Sequence, residues 1–141
     1  MNQQIFNFIQ QNTCANICCI NAIMQPYCFT CYYLFNSTEQ LLYYKSTLDT
    51  AHSVNILAKS NIAGTILPDK LNKLKVKGVQ FEGIVLDNAN PMVKRASIAY
   101  HKKYPMALAV PGNVWVIQLN HIKYTNNALG FGKKLHWIRL T

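Results

Sequence analysis

Acidic residues are scarce in this sequence, and their scarcity sets its electrostatic character. Five Asp and Glu face fourteen Lys and Arg, which gives a formal net charge of +9 at pH 7. No acid follows Asp87, whereas eight Lys and Arg residues do. Such a cationic half indicates an anionic partner. Charge alone would suit nucleic acid, but a phosphate-bearing cofactor or substrate uses the same side chains, and we expect no nucleic-acid partner.

Long apolar runs are also missing. Asn, Gln, Thr or Lys interrupts every run before the roughly 18 to 20 apolar residues that a membrane-spanning helix needs. The first residues lack the basic segment and apolar block of a secretory signal. With 141 residues, half of them hydrophobic, the chain has the length and the core material of one domain. We expect a single cytoplasmic domain over residues 1–141 with no membrane partner.

The cysteines are confined to the first quarter of the chain, at Cys14, Cys18, Cys19, Cys28 and Cys31. An odd number in an apparently cytosolic chain argues against a disulfide framework. Cys28 and Cys31 fit a CxxC pattern, but their segment has the composition of a strand, where residues three apart face opposite sides. We therefore expect reduced thiols and no metal site.

The apolar periodicity predicts short strands and a few helices in the first half. Residues 3–11 place Ile5, Phe8 and Ile9 on one helical face. A second helix should begin at Asp49 or Thr50, both good N-caps. A turn is predicted at Met24–Pro26. Strands are predicted at Thr13–Ile23, Tyr27–Phe35, Leu41–Lys45 and Asn61–Leu67.

The second half continues this order. Lys73, Lys75 and Lys77 alternate with apolar residues, which predicts a strand with a bulge at Gly78. Asn90 and Pro91 favour a helix start, and the helix should run to about Lys103. The last strands are predicted at Val114–Tyr124 and Lys133–Leu140, on either side of turns at Asn126–Asn127 and Gly130–Gly132. Six or seven strands with a few helices predict an α+β, mainly β, barrel-like domain.

Four strings carry a resemblance to a known family. They are Ile122–Trp137 (IKYTNNALGFGKKLHW), Ile62–Ile66, Gly78–Gly83 and Lys103–Pro105. They resemble the pyridoxamine 5'-phosphate oxidase-related FMN-binding split-barrel superfamily, most closely its YhbP-like bacterial branch, over nearly the whole chain. The resemblance implies a six-stranded Greek-key split barrel with flanking helices. It also implies a homodimer that holds FMN in grooves between its subunits.

The segment from Lys45 to His52 is the predicted site for the FMN phosphate. A strand ends there and a helix begins, so hydroxyls and free backbone NH groups should converge. The resemblance places a family Ser-Arg-Lys string, which binds the FMN phosphate, at Thr50–His52. Ala51 replaces its arginine, and His52 is largely neutral at pH 7 unless a phosphate raises its pKa. The predicted cofactor contacts are Lys45, Ser46, Thr47, Thr50 and His52.

A second group of candidates lies near the C-terminus. Lys134, Leu135 and His136 resemble the Arg-x-His string that holds substrate phosphate in pyridoxamine phosphate oxidases. The resemblance makes Lys133 and Lys134 candidate cofactor contacts and His136 a candidate substrate contact. Alternatively, these side chains lie on the surface of a strand. The aromatic residues of the second strand leave a similar choice, because alternation lets one set line a groove while the other fills the barrel.

These observations predict an FMN-binding protein that acts as a flavin-dependent oxidoreductase on an unknown substrate. The flavin would supply the hydride or electron chemistry, and the protein would supply position and electrostatics. The alternative is a non-catalytic flavin- or haem-binding module. For haem, the candidate axial ligands are His52, His101, His121 and His136.

Overall fold

The computed structural model describes residues 1–129 and 133–140. The predicted turn at Gly130–Gly132 lies outside these residues. The α-helices are α1 (Gln3–Gln11), α2 (Ala51–Ala58) and α3 (Pro91–Lys103), and short 3-10 helices occupy Pro105–Ala109 and Asn127–Leu129. The strands are β1 (Cys14–Ile20), β2 (Pro26–Asn36), β3 (Leu41–Ser46), β4 (Asn61–Ile66), β5 (Lys77–Val85), β6 (Asn113–Asn126) and β7 (Lys134–Ile138).

The strands form one antiparallel sheet that closes into a barrel. Their order is β3-β2-β1-β4-β5-β6-β7, and β3 pairs with β6 as well as with β2. This last pairing closes six strands and leaves β7 as an extension beside β6. The predicted mainly β, six-stranded barrel with flanking helices is therefore confirmed.

Strand β6 holds the barrel together because it is long enough to pair with three strands. Its first part, Asn113–Gln118, pairs with β3, and His121–Thr125 pairs with β7. Arg139 follows β7 and joins the two parts, since its guanidinium donates to the carbonyls of Leu119 (2.7 Å), Glu39 (2.9 Å) and Gln40 (2.8 Å). The Arg139 guanidinium therefore stabilises the backbone of the barrel.

Two clusters of buried side chains form the core. The larger one fills the barrel with alternate residues of the strands, such as Ile17, Phe81 and Ile122, and α1 contributes the predicted face of Ile5, Phe8 and Ile9. The smaller one lies between the outer surface of β3 and β6 and helix α3, where Tyr43, Val116 and Tyr100 are buried. Within the described part of the chain, no helix is long and apolar enough to cross a membrane.

The strand predicted from the lysine alternation is wrong in position. Strand β5 begins only at Lys77, and Leu74 is 93% exposed in the preceding turn. Asn72 sets that turn, because its side-chain oxygen accepts from Leu74 N (2.9 Å) and its carbonyl accepts from Lys75 N (3.1 Å). Such local bonds compete with a strand ladder. The predicted bulge at Gly78 is also wrong, since the register shift lies between Glu82 and Gly83.

We expect any side chain at Gly83 to destabilise this bulge. A Cβ added to it would lie 2.3 Å from the carbonyl oxygen of Gln118, whereas one added to Gly78 would meet nothing closer than a Leu67 methyl at 3.4 Å. We expect Gly83→Ala to lower the free energy of unfolding by about 1 to 3 kcal/mol, and Gly78→Ala to change it by less than about 1 kcal/mol. Urea unfolding of both variants measures the difference, and equal effects would contradict the steric argument.

Candidate functional site

An opening in the barrel wall lies where β2 and β3 part. Their ladder runs from the pair Asn36 and Leu41 to the pair Tyr33 and Tyr44 and ends there. Strand β3 instead stays with β6 as far as Ser46 opposite Asn113. The first part of β2 remains paired with β1, so the two strands leave a cleft between them, which we call the β2–β3 cleft.

The β2–β3 cleft has a volume of about 320 Å³ and mixes aromatic with polar walls. This volume is at the low end of ligand pockets, which run from roughly 300 to 1,000 Å³. Helices α2 and α3 cover two of its sides, with His52 and Tyr100 respectively. The lining residues are Phe29, Thr30, Cys31, Tyr32, Tyr44, Lys45, Ser46, His52 and Tyr100.

Thr50 caps helix α2 and places its hydroxyl beside Ser46 and His52, which line the cleft. It is the N-cap, and its Oγ1 accepts from Ser53 N at 3.3 Å. Ser46, the last residue of β3, has its Oγ 3.3 Å from Thr50 Oγ1. Thr47 closes the connecting turn by accepting a bond from Thr50 Oγ1 at its carbonyl (3.2 Å). The strand-to-helix junction therefore clusters hydroxyls, as the sequence predicts.

His52 lies in the first turn of α2 and is fixed from two directions. Its ring stacks on Phe29 with centroids 3.9 Å apart and planes 10° from parallel. Its Nε2 is 2.7 Å from Ser46 Oγ and 3.1 Å from Thr50 Oγ1. Burial lowers the pKa of His52 below its usual 6.5, because the charged form loses hydration. The imidazole is therefore neutral at neutral pH in this arrangement.

Lys45 supplies the positive charge on the cleft wall. Its Nζ donates to the carbonyl of Ala107 at 2.5 Å and lies 3.1 Å from His101 Nε2. These contacts connect β3 to α3 and to the 3-10 helix that follows it. The ammonium is thus held in place, which reduces the entropy that an incoming anion would otherwise have to remove.

Tyr44 contributes a polar group that the chain itself does not satisfy. The residue is 1% exposed, and its hydroxyl has no hydrogen-bond partner among the described residues. Burial raises the pKa of Tyr44 far above its usual 10, so the hydroxyl keeps its proton. A buried hydroxyl without a partner costs about 1 to 3 kcal/mol, which makes Tyr44 a donor in need of an acceptor.

The backbone of β2 also turns polar groups toward the cleft. Tyr33 N donates to Thr13 O at 2.9 Å, which marks Tyr33 as a residue that bonds to β1. Because antiparallel bonding alternates, Thr30 and Tyr32 direct their backbone groups to the opposite edge, where β3 has moved away. The carbonyl of Tyr32 accepts from Tyr100 Oη at 3.5 Å.

The C-terminal candidates lie elsewhere. Lys133 and Lys134 are exposed at the start of β7, and neither they nor His136 line the β2–β3 cleft. His136 faces outward and stacks with His121, with ring centroids 5.6 Å apart and Nδ1 3.3 Å from His121 Nε2. Of the predicted contacts, Lys45, Ser46 and His52 line the cleft, and Thr47 and Thr50 lie beside it at the strand-to-helix junction. Lys133, Lys134 and His136 do not line it.

Sequence reasoning missed four residues that line the cleft, Thr30, Cys31, Tyr44 and Tyr100. Tyr44 belongs to a strand buried on both faces, so alternation gives no signal for it. Tyr100 reaches the cleft only because α3 packs against β3. On the second strand the two faces do not divide cleanly between groove and core. Tyr33 is buried in the barrel, Phe29 on the same face lines the cleft, and Tyr32 on the other face is 67% exposed at the cleft.

Comparisons with solved structures show the same fold in other proteins. A heme binding protein from Mycobacterium smegmatis superposes with a TM-score of 0.77 at 12% identity, over 93% of this chain and 55% of that one. A FAD-binding protein (mll6688) from Mesorhizobium loti gives a TM-score of 0.67 at 14% identity, over 86% and 91%. At such low identity these likenesses show the fold alone.

Sequence comparison identifies the family. No family model matches the chain. The UPF0306 protein of Serratia proteamaculans (strain 568) is 33% identical over 139 residues, which cover 97% of this chain and 94% of that protein. The UPF0306 protein YhbP of Salmonella schwarzengrund (strain CVM19633) is 35% identical over 121 residues, or 86% and 82% of the two chains. The chain therefore belongs to the UPF0306 family.

Proposed function

We propose that this protein binds FMN in the β2–β3 cleft. The observation that carries the proposal is the composition of the cleft wall, which joins aromatic side chains to a lysine, two hydroxyls and an imidazole. A flavin has the complementary parts, a flat ring system and a phosphate. Aromatic faces suit the ring, and charge-assisted donors suit the phosphate.

The phosphate end of the cofactor belongs at the strand-to-helix junction. Ser46, Thr50 and His52 direct Oγ, Oγ1 and Nε2 to one point, with separations of 2.7 to 3.3 Å. The first turn of α2 adds backbone NH groups and the positive end of a helix dipole. Lys45 compensates in part for the arginine that Ala51 replaces, since it places a fixed ammonium on the same wall.

The ring end belongs between the aromatic residues. Phe29, Tyr32 and Tyr100 line the cleft, and Tyr44 offers the only buried side-chain donor without a partner in the described residues. Bound flavin supplies hydride or electron chemistry, so the proposed activity is flavin-dependent oxidoreduction. The residues of the chain bind and orient the ring and keep water from its face. The shared fold with a FAD-binding protein supports this proposal.

Haem is the second candidate ligand. A protein of this fold is described as heme binding, and His52 on the cleft wall offers a neutral imidazole. Against haem, His52 Nε2 is already engaged by Ser46 at 2.7 Å. The absorption spectrum of the purified protein separates the two ligands, because haem gives a Soret band and flavin gives its own pair of bands.

A homodimer completes the proposed site. The cleft is small for a whole flavin. Exposed apolar side chains lie on α2, on the turn before it and on the β1–β2 hairpin, which are the elements that precede or follow strands of the cleft. Lys59 Nζ contacts Met24 Sδ at 2.6 Å and joins the end of α2 to this hairpin. Surfaces of this kind mark sites of association. The exposed apolar residues are Ile23, Met24, Tyr32, Leu48, Val54 and Leu57.

Substitutions at the junction should change FMN affinity. We expect Lys45→Ala and Thr50→Val each to weaken binding by about 1 to 3 kcal/mol, the range for hydrogen bonds to a charged group. Ala51→Arg should strengthen binding by adding a bidentate phosphate donor. Fluorescence titration of the apo-protein with FMN measures all three, with circular dichroism as a check on the loss of the Thr50 cap.

The double variant Lys133→Ala, Lys134→Ala is the matched control, because it removes two exposed cations that lie outside the cleft. The control should leave affinity nearly unchanged in moderate salt. Unchanged affinity in the three junction variants, together with a loss in this control, would place the phosphate near β7 instead.

The pKa of His52 should report occupancy of the site. The folded state depresses this pKa, so as pH falls below 6.5 the unfolded chain takes the proton first and folding stability declines. FMN phosphate should reverse the shift by favouring imidazolium. NMR titration of the imidazole with and without FMN measures both effects, and Phe29→Leu should move the apo midpoint back toward 6.5. An apo midpoint above 6.5, or one that FMN leaves unmoved, would argue against the site.

The oligomeric state tests the shared groove. Light scattering should give twice 16.1 kDa at micromolar concentration. Val54→Glu combined with Leu57→Glu should shift the protein toward monomer and weaken FMN binding, because both side chains are more than half exposed on α2. Leu74→Glu, on the turn before β5, is the control and should do neither. A wild-type monomer would remove the dimer from the proposal.

A further inference from the structure

Two cysteines stand directly opposite each other on neighbouring strands. Cys18 of β1 and Cys28 of β2 are Cα partners in the antiparallel ladder. Both point away from the barrel interior, since the next residues along their strands, Ile17 and Phe29, pack in the core. Cys18 is half-buried and Cys28 is exposed.

The register places this pair at a position where a disulfide fits. Backbone bonds Tyr33 N to Thr13 O and Asn21 N to Gln25 O, both 2.9 Å, mark the hydrogen-bonded pairs at the two ends of the ladder. Hydrogen-bonded and non-hydrogen-bonded pairs alternate along an antiparallel ladder, so every second pair counted from either end is hydrogen-bonded. Cys18 and Cys28 fall between two such pairs and are therefore a non-hydrogen-bonded pair. Such residues have Cα atoms about 4.5 Å apart, within the roughly 4.4 to 6.8 Å that disulfides span. Burial, and then a hydrogen bond with the Cys28 side chain, raise the pKa of the Cys18 thiol.

A groove gives reagents access to both sulfur atoms. It has a volume of about 450 Å³ and lies on the outer face of the sheet, across β1, β2, β4, β5 and β6. Ala63, next to Cys18 on β4, has a small side chain that leaves the thiols uncovered. Glu82, His121 and Lys123 form the polar side of the groove.

The other described cysteines have no thiol opposite them. Cys14 is paired with Tyr32, Cys19 with Tyr27 and Cys31 with Ala15. Cys19 and Cys31 also face the barrel interior, where burial raises the pKa of Cys31 to about 12. No group of three or more Cys, His, Asp or Glu in the described residues could hold a metal ion. The pair is therefore placed for sulfur–sulfur chemistry with each other.

We propose that Cys18 and Cys28 form a reversible dithiol–disulfide site that hydroperoxides oxidise. This role is independent of cofactor binding, since the pair lies on the outer groove and does not line the β2–β3 cleft. The exposed Cys28 sulfur, as thiolate, attacks one peroxide oxygen, the O–O bond breaks, and the leaving hydroxide takes a proton to become water. Cys18 then attacks the Cys28 sulfenic acid, the S–S bond forms and a second water leaves. The balance is two thiols and one hydrogen peroxide to one disulfide and two waters.

The test titrates full-length protein with hydrogen peroxide and counts thiols after denaturation. The reduced chain has five thiols, and one equivalent should leave three, with a mass loss of two hydrogens and full recovery on dithiothreitol. Cleavage after Tyr27 separates the two peptides for mass spectrometry. Cys28→Ser leaves four thiols, and all four should survive one equivalent of hydrogen peroxide, because this variant lacks the attacking sulfur. Cys28 is exposed, so the variant should fold.

Cys19→Ser and Cys14→Ser are the matched controls, because both leave the proposed pair intact. Each should still lose two thiols and yield the same cross-linked peptide. Five free thiols after oxidation, a disulfide between other residues, or a bond that forms only between chains would overturn the proposal. So would a Cys19→Ser variant that no longer forms the link, since Cys19 lies beside Cys18 in sequence but on the opposite face.

Discussion

The pairing of β3 with β6 is the constraint on which the rest of the structure depends. A strand can hold two neighbours only while both stay within hydrogen-bond distance of its edges. Strand β3 keeps β6 to its last residue, Ser46, and loses β2 after Tyr44. Closure of the barrel therefore opens the β2–β3 cleft. It also directs the chain from Ser46 into α2, so the helix N-terminus, its Thr50 cap and His52 arrive at the opening.

The positively charged side chains of this protein have several different roles. Lys45 is bound to the carbonyl of Ala107 on the cleft wall, and Arg139 donates to three carbonyls where β6 changes partners. Lys102 and Lys103 lie in the last turn of α3, where cations stabilise the negative end of the helix dipole. Within the part of the sequence that follows Asp87, the side chains of Arg139, Lys102 and Lys103 thus stabilise the fold itself. An anion at the cleft meets a single lysine with hydroxyls and backbone NH groups, which is a moderate field by comparison with an arginine clamp.

Strand alternation lets one segment serve two separate surfaces. Along β2, Phe29 turns inward and supports His52, while Cys28 turns outward to Cys18. Neighbours in sequence therefore belong to different chemical environments, one at the cleft beside His52 and one open to the groove. The β-bulge between Glu82 and Gly83 bends strand β5 where it pairs with the long strand β6. This bend contributes to the curvature of the single sheet.

The sequence by itself determined the local features of this protein. Asn90 and Thr50 cap α3 and α2 as predicted, the α1 face is buried as predicted, and the mainly β barrel follows from the strand pattern and the family resemblance. These succeed because capping, periodicity and strand propensity act between residues close in sequence. The lysine alternation at residues 73–77 misled because the Asn72 turn satisfies the same backbone groups. Only the tertiary structure decided that β2 pairs with β3 from Tyr33 onward and not before it, that Tyr44 and Tyr100 join the cleft, that Lys134 and His136 stay away from it, and that Cys18 lies opposite Cys28. Each of these depends on which strand edges pair across the closed sheet, and that pairing joins residues far apart in the chain.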